Sequence, residues 1–206
     1  KAKEVKAGLK MILCDGEFVS KEKEKEEASV YKYQSGDCIL QEVMACYCTA
    51  PLQPGLALMG KRAVIMGIYS PVGRCGKTSF ALTLAQMLGK KQAVLFISME
   101  EYSGFSKLVC NGYEQDLSDV FYLYQRGDFN WLRLKSMILS NGNVDYIPPV
   151  SYGEDLDQVT PEEITGLLKK IAAESGYERI IVDIGHMGKG ALSLFEACDV
   201  IYMPVL

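Results

Sequence analysis

From residue 63 onward the apolar positions fall in short blocks separated by longer segments of mixed polarity. Ala63–Tyr69, Ala93–Met99 and Arg179–Gly185 are nearly unbroken β-branched or aliphatic runs, as expected for strands buried on both faces of a parallel sheet. Val144–Ile147, ended by Pro148-Pro149, and Val200–Met203 read as two further strands. Between them the spacing predicts helices at Lys77–Leu88, Ser118–Gln125, Phe129–Leu139 and Ala191–Ala197. The first has almost no polar face, so it is expected to be buried between sheet and neighbours and to stop at Gly89 as C′ residue. Asn141-Gly142 is expected to stop the third. Thr160-Pro161-Glu162-Glu163 opens another helix with a Thr cap, Pro at the first helical position and Glu three after the cap; Ile164, Leu167, Leu168 and Ile171 share one face, and Gly176 ends it. Strand and helix alternate, which predicts an α/β fold with a doubly wound, mostly parallel sheet.

The first fifty residues are patterned differently. Leu9–Leu13 and Ala28–Tyr33 are strand candidates on either side of the charge run Lys21–Glu27, which reads as a solvated loop. Ser35 or Asp37 can cap a helix through Cys48, with Ile39, Leu40, Val43, Met44 and Tyr47 at helical spacing. This strand–loop–strand–helix order resembles the last part of a receiver-type α/β domain, without a phosphoacceptor aspartate cluster. Pro51-Leu52-Gln53-Pro54-Gly55 marks the join, so the expected organisation is a partial segment at 1–50, a linker at 51–61 and the main domain at 62–206.

Length, composition and charge narrow the class without deciding the chemistry. The 206 residues suffice for one α/β domain and an appendage, with 49% hydrophobic and 23% charged residues as in a soluble globular protein. A net charge of −4 argues against a nucleic-acid surface as the main feature, and no apolar stretch reaches membrane-spanning length. Seven cysteines lack CxxC spacing and His186 is the single histidine, so reduced thiols in a cytoplasmic protein are expected rather than a zinc site. The chain starts at Lys1 and stops in an apolar run at Leu206, which reads as a piece of something longer, apparently truncated at its C-terminus.

The chemistry concentrates at residues 63–79. A strand breaks at Ser70-Pro71, a glycine-bearing turn follows, and Gly76-Lys77-Thr78 opens an apolar helix. That order is what a phosphate-binding loop requires: backbone N–H groups of Gly73, Arg74, Cys75, Gly76 and Ser79 beside the positive helix end, a point charge on Lys77, and a Thr78 hydroxyl for Mg²⁺. The general pattern has Gly seven positions before the Thr, where this chain has Pro71. Asp183, after three apolar residues, is the candidate for holding Mg²⁺ through its water shell, and Gly185 can approach a γ-phosphate by its N–H. Glu100, ending the second strand of the main domain, is either a carboxylate that orients an attacking water or a solvated loop residue.

Residues 70–79, Ser-Pro-Val-Gly-Arg-Cys-Gly-Lys-Thr-Ser, resemble the deviant Walker A loop of the MinD/ParA ATPases, usually SPKGGVGKTT. Residues 94–100 resemble that family's strand ending in Asp-x-Asp, 182–185 its switch II, and 197–202 the strand that follows. The resemblance runs from about Arg62 to the end, and implies a P-loop NTPase fold, ATP and Mg²⁺ as cofactors, and catalytic roles for Lys77, Glu100 and Asp183. It also implies an ATP-dependent homodimer. With the receiver-like piece in front, the chain looks most like the CpaE/TadZ branch, implying a protein partner in pilus or secretion machinery and a place at the membrane periphery or cell pole.

Departures from the family pattern bear on catalysis. The family's signature lysine, which reaches the partner subunit's phosphates, falls on Val72; its second glycine is Arg74; its two strand-end aspartates are Ser98 and Glu100. Arg74 is either a replacement phosphate-facing cation or a solvent-facing residue, and Cys75 either a redox-sensitive thiol or a passive small residue. Three functions follow: a slow ATPase switch, a non-hydrolysing nucleotide-dependent scaffold, and a metabolic P-loop enzyme such as an amide ligase or small-molecule kinase. The aromatics of 101–143 read mainly as core and partner surface, with an aromatic substrate pocket as the weaker option. Adenine and guanine are not distinguished.

Overall fold

The computed structural model describes residues 10–15, 27–33, 36, 39, 43, 62–101, 113, 115–185 and 191–205. The chain divides into two compact units, Lys1–Gly55 with Leu132–Ser136, and Leu56–Trp131 with Met137–Leu206.

In the first unit, β1 (Lys10–Cys14) and β2 (Glu27–Tyr31) pair in parallel from Lys10↔Glu27 to Cys14↔Tyr31. The Lys32 N–H extends the ladder to the Cys14 carbonyl at 3.0 Å, and Lys32 forms an ion pair with Asp15. Each strand is displaced by a residue or two from its expected bounds. Of the helix expected through Cys48, residues 36, 39 and 43 are described and are helical. The charge run 21–26, the linker, Cys38, Cys46, Cys48, Cys110 and His186 lie outside the described residues.

The second unit is built on a six-stranded sheet. Its strands are β3 (Val64–Ile68), β4 (Val94–Met99), β5 (Leu139–Asn141), β6 (Val144–Ile147), β7 (Arg179–Ile184) and β8 (Val200–Tyr202). Their order is β5-β6-β4-β7-β3-β8, and every pairing is parallel except β5 with β6. Besides the helical residues 36, 39 and 43, six helices are described: α1 (Lys77–Gly89), α2 (Leu117–Gln125), α3 (Trp131–Met137, most of which groups with the first unit), α4 (Glu154–Asp157), α5 (Pro161–Glu174) and α6 (Ala191–Ala197). A mixed α/β fold on a mostly parallel sheet is what the hydrophobic blocks predict.

Ile180 to Ile184 are all fully buried, so both faces of β7 are covered. Each buried isoleucine contributes about 1.5–3 kcal/mol. Met66, Ile68, Phe96, Tyr146 and Ile181 form a core with Ala81 and Ala85 of α1. α5 buries Ile164, Leu167, Leu168 and Ile171, the face read from their spacing, and Gly166 gives the Tyr124 side chain of α2 room to pack where a Cβ would meet its hydroxyl at 2.2 Å. Gly67 does the same for Cys198, whose burial pushes its thiol up to about 11, a passive packing thiol.

Four local expectations are corrected. α1 is not buried all round: only Ala81 and Ala85 are buried, while Phe80 and Met87 are 41% and 64% exposed. The helix lies across a single sheet face, which needs small residues for close approach and leaves the opposite side to solvent. Gly89 does not end α1 in a left-handed conformation; the cap is Lys90 at φ −64°. Gly89 is needed for space, since a Cβ there would stand 2.4 Å from the Asn143 carbonyl oxygen. Asn141-Gly142 does not stop a helix: α3 ends at Met137, and β5 folds antiparallel onto β6 around Gly142 at φ 65°. The segment before β6 thus pairs as a hairpin whose two-residue loop is Gly142-Asn143, with glycine in the first loop position. α4, a single turn at 154–157, falls where no element was expected.

Of the aromatics in 101–143, Phe121 is core, Trp131 packs edge-on against Tyr177 with ring centroids 5.6 Å apart, and Tyr122 is exposed beneath Arg126. Tyr102 and Phe105 lie outside the described residues.

Candidate nucleotide site

β3, β4 and β7 release their chains at the same edge of the sheet, where open α/β sheets place ligand sites. β3 ends at Ile68, and Ser70 is tied down by its hydroxyl, which donates to the Pro204 carbonyl at 2.7 Å and accepts the Val72 N–H at 3.2 Å. The loop then passes through two left-handed residues, Arg74 at φ 61° and Gly76 at φ 79°. Arg74 is the only non-glycine residue with positive φ among those described. An L-residue held there costs about 1–2 kcal/mol relative to its right-handed form, and such strain gathers at ligand sites. Gly76 is the N-cap of α1 and provides no side-chain cap, so among the described residues the first turn has no cap bond of the kind a Ser, Thr, Asp or Asn would supply.

A cleft of about 390 Å³ opens above this helix end, lined by Ser70 to Ser79 with Glu100, Ile184 and Gly185. Every residue expected to cradle phosphate therefore lines one concavity. Lys77 Nζ donates to Asp183 Oδ1 and reaches Glu100 Oε1 at 2.5 Å, and Thr78 Oγ1 donates to Asp183 Oδ2 at 2.7 Å. Asp183 is completely buried. Burial pushes its carboxyl above the ordinary carboxylate range, against the charge of Lys77 and the hydrogen bonds from Lys77 and Thr78. Gly185 is required sterically, because a Cβ there would meet the Met99 carbonyl oxygen at 2.3 Å; its lack of a side chain lets the end of β7 close against β4. Arg74 is exposed on the rim, and Cys75 is a free, half-buried thiol.

The loop signal missed one group. Ser98 stands in register with Asp183 on the neighbouring strand, fully buried, its hydroxyl without a hydrogen-bond partner among the described residues. A buried orphan hydroxyl beside a hydroxyl–carboxylate pair makes an all-oxygen set, the donor chemistry that Mg²⁺ with its waters takes. The residues fit that cation. The signal in the sequence was a lone serine in an otherwise apolar strand.

No family model matches the sequence, and no curated protein matches it. Solved structures do. A ParA family ATPase from Chlorobium tepidum is 22% identical, with 70% of this chain aligned to 60% of that one at a TM-score of 0.59. The septum site-determining protein MinD of Pyrococcus horikoshii, complexed with Mg-ADP, is 20% identical over 69% of this chain and 58% of its own, at 0.56. The second unit has the fold of the ParA and MinD ATPases. A Cyanothece McdA variant in complex with ATP aligns at 18% identity over 71% of this chain and 57% of its own, at 0.55. The chain spans about three fifths of the length of these ParA/MinD-fold proteins. Among the described residues no helix is long and apolar enough to cross a membrane.

Proposed function

We propose that the chain belongs to the ParA/MinD superfamily and binds Mg·ATP at the 70–79 loop, acting as a slow ATPase switch that dimerises on ATP and recruits a partner assembly. The observation that carries this is the convergence of Lys77, Thr78 and Asp183 below an uncapped helix end. In this reading Gly73 to Ser79 and the Gly185 N–H hold phosphate, Thr78 and Asp183 hold Mg²⁺, and Glu100 orients water once Lys77 has turned to the phosphates. Magnesium, when bound, neutralises charge developing on the transferred phosphoryl group. Two of the solved structures of this fold carry Mg-ADP and ATP, which supports the choice of ligand. The receiver-like segment supports the narrower CpaE/TadZ assignment, with pilus or secretion machinery as the partner and the membrane periphery or cell pole as the place. The domain division at 1–50, 51–61 and 62–206 belongs to the same proposal.

A second reading, a nucleotide-dependent scaffold without turnover, is favoured by Val72. It is 43% exposed on the loop where the superfamily carries its signature lysine, and loss of a phosphate-facing cation removes several orders of magnitude in rate. Turnover and light scattering with ATP or ADP, on the chain and on Lys77→Ala, separate the readings. The switch predicts slow release of phosphate and an ATP-dependent rise in mass, both lost in Lys77→Ala; the scaffold predicts the rise in mass alone. No saturable nucleotide binding refutes both. Lys77→Ala leaves Asp183 buried without its cation, so its unfolding midpoint is recorded alongside.

A further inference from the structure

We infer that Glu100 stands in for a nucleotide phosphate on Lys77, and thereby makes this site select nucleotide that arrives with a divalent cation; the inference rests on the nucleotide reading above. One ammonium in the cleft faces two carboxylates, Asp183 and Glu100. The two differ in how firmly they are held. Asp183 is buried within β7 and anchored by Thr78, whereas Glu100 follows the last residue of β4, has a side chain 30% exposed, and lines the cleft itself. Glu100 is therefore the partner that an incoming phosphate displaces. Its Oε1 makes a charge-assisted contact with Nζ, the kind of contact that a phosphate oxygen would make.

The consequence concerns charge. A metal-free nucleotide brings only negative charge to an ammonium already shared by two carboxylates, with Arg74 on the rim as the other cation lining the cleft, and must evict Glu100 unaided. With a divalent cation on its phosphates, the nucleotide offers Asp183 and Thr78 a new partner while Lys77 changes hands. Glu100 penalises both forms, and the metal-free one more. Once displaced, its carboxylate is left at the mouth of the cleft, where the proposed water-orienting role needs it.

The test is calorimetric titration of the whole chain with ADP, in excess Mg²⁺ and in excess EDTA. Wild type, Glu100→Gln, Glu100→Ala and Lys77→Ala are compared, and circular dichroism verifies folding. Wild type is expected to bind with Mg²⁺ at least tenfold more tightly than without. Both Glu100 variants are expected to bind metal-free ADP about tenfold more tightly than wild type, narrowing that ratio. If the Glu100 variants bind metal-free ADP no more tightly than wild type, while Lys77→Ala has lost binding, the role of Glu100 is overturned and the nucleotide site stands. If wild type binds ADP in neither condition, or Lys77→Ala binds as wild type does, the nucleotide site falls, and this inference with it.

Discussion

Helices α1 and α5 begin with the same physical problem and solve it in opposite ways. Each leaves N–H groups without intrahelical partners at a positive dipole end. At α5 the chain supplies its own anions: Thr160 Oγ1 accepts the Glu163 N–H at 3.2 Å, the Glu163 carboxylate accepts the Thr160 N–H at 2.8 Å, and Glu162 adds charge to the first turn. At α1 there is a glycine at the cap, no acidic residue in the first turn, a lysine as first residue, and a cleft overhead. One helix end is finished internally. The other is left for an outside anion, and the chain holds a strained backbone around it to keep it so. α2 sides with α5: Asp116 accepts from the N–H and hydroxyl of Ser118 and from those of Ser151, 2.6–2.8 Å in each case, and is nearly buried.

Exchanging the two designs should have the largest effect. Gly76→Asp puts a carboxylate in the open cradle, where a Cβ meets nothing within 4 Å but sits on a left-handed backbone at φ 79°, so Gly76→Asn is the control that carries the same strain without the charge. ATP affinity is expected to fall at least 100-fold, about 2.7 kcal/mol, in an equilibrium binding assay. Unchanged affinity would mean the anion sits elsewhere.

Removing the cap of α2 is next. Asp116→Ala is expected to cost about 2–3 kcal/mol in denaturant unfolding, from a lost cap and from Ser151 groups left without their acceptor, with ATP affinity unchanged. Burial acts upward on Asp116, but the hydrogen bonds from Ser118 and Ser151 outweigh it and hold its carboxyl below the ordinary range. Its folded pKa being below its unfolded one, the contribution is whole above about pH 4 and is lost as pH falls through the folded value. Wild type should therefore lose stability over that acid window more steeply than Asp116→Ala.

Thr160→Ala is expected to cost about 1 kcal/mol and to create no phosphate affinity at α5, because Glu162 and Glu163 repel an anion from that end. Smallest of all, Arg74→Gly should raise stability by up to about 1 kcal/mol by relieving the left-handed backbone. The thermal midpoint reads this directly. A fall instead would mean that the Arg74 side chain stabilises the loop more than its backbone strains it.

The pattern of what was legible follows the reach of the interactions. The Thr160 capping box, the β3–loop–α1 order and Asp183 at the end of β7 are encoded within a few residues each, so the sequence displays them. The bond from Asp116 to Ser151 spans 35 residues, and the Lys77–Asp183 bond 106. Such pairings exist only once the sheet order is set. Gly89 shows the same limit: glycine near a helix end suggests a turn signal locally, but the reason for it is a carbonyl from the β5–β6 hairpin. Ser98 was visible as a departure from a family pattern. Its unpartnered hydroxyl beside Asp183 needed the register of β4 against β7.

The central claim is that the open end of α1 is where a nucleotide phosphate sits. Amide chemical shifts followed during Mg·ADP titration test it most directly. The account predicts saturable shifts at Gly76, Lys77 and Thr78, with Glu162 and Glu163 at the start of α5 unmoved. Saturable binding that leaves the amides of 76–78 in place would contradict it.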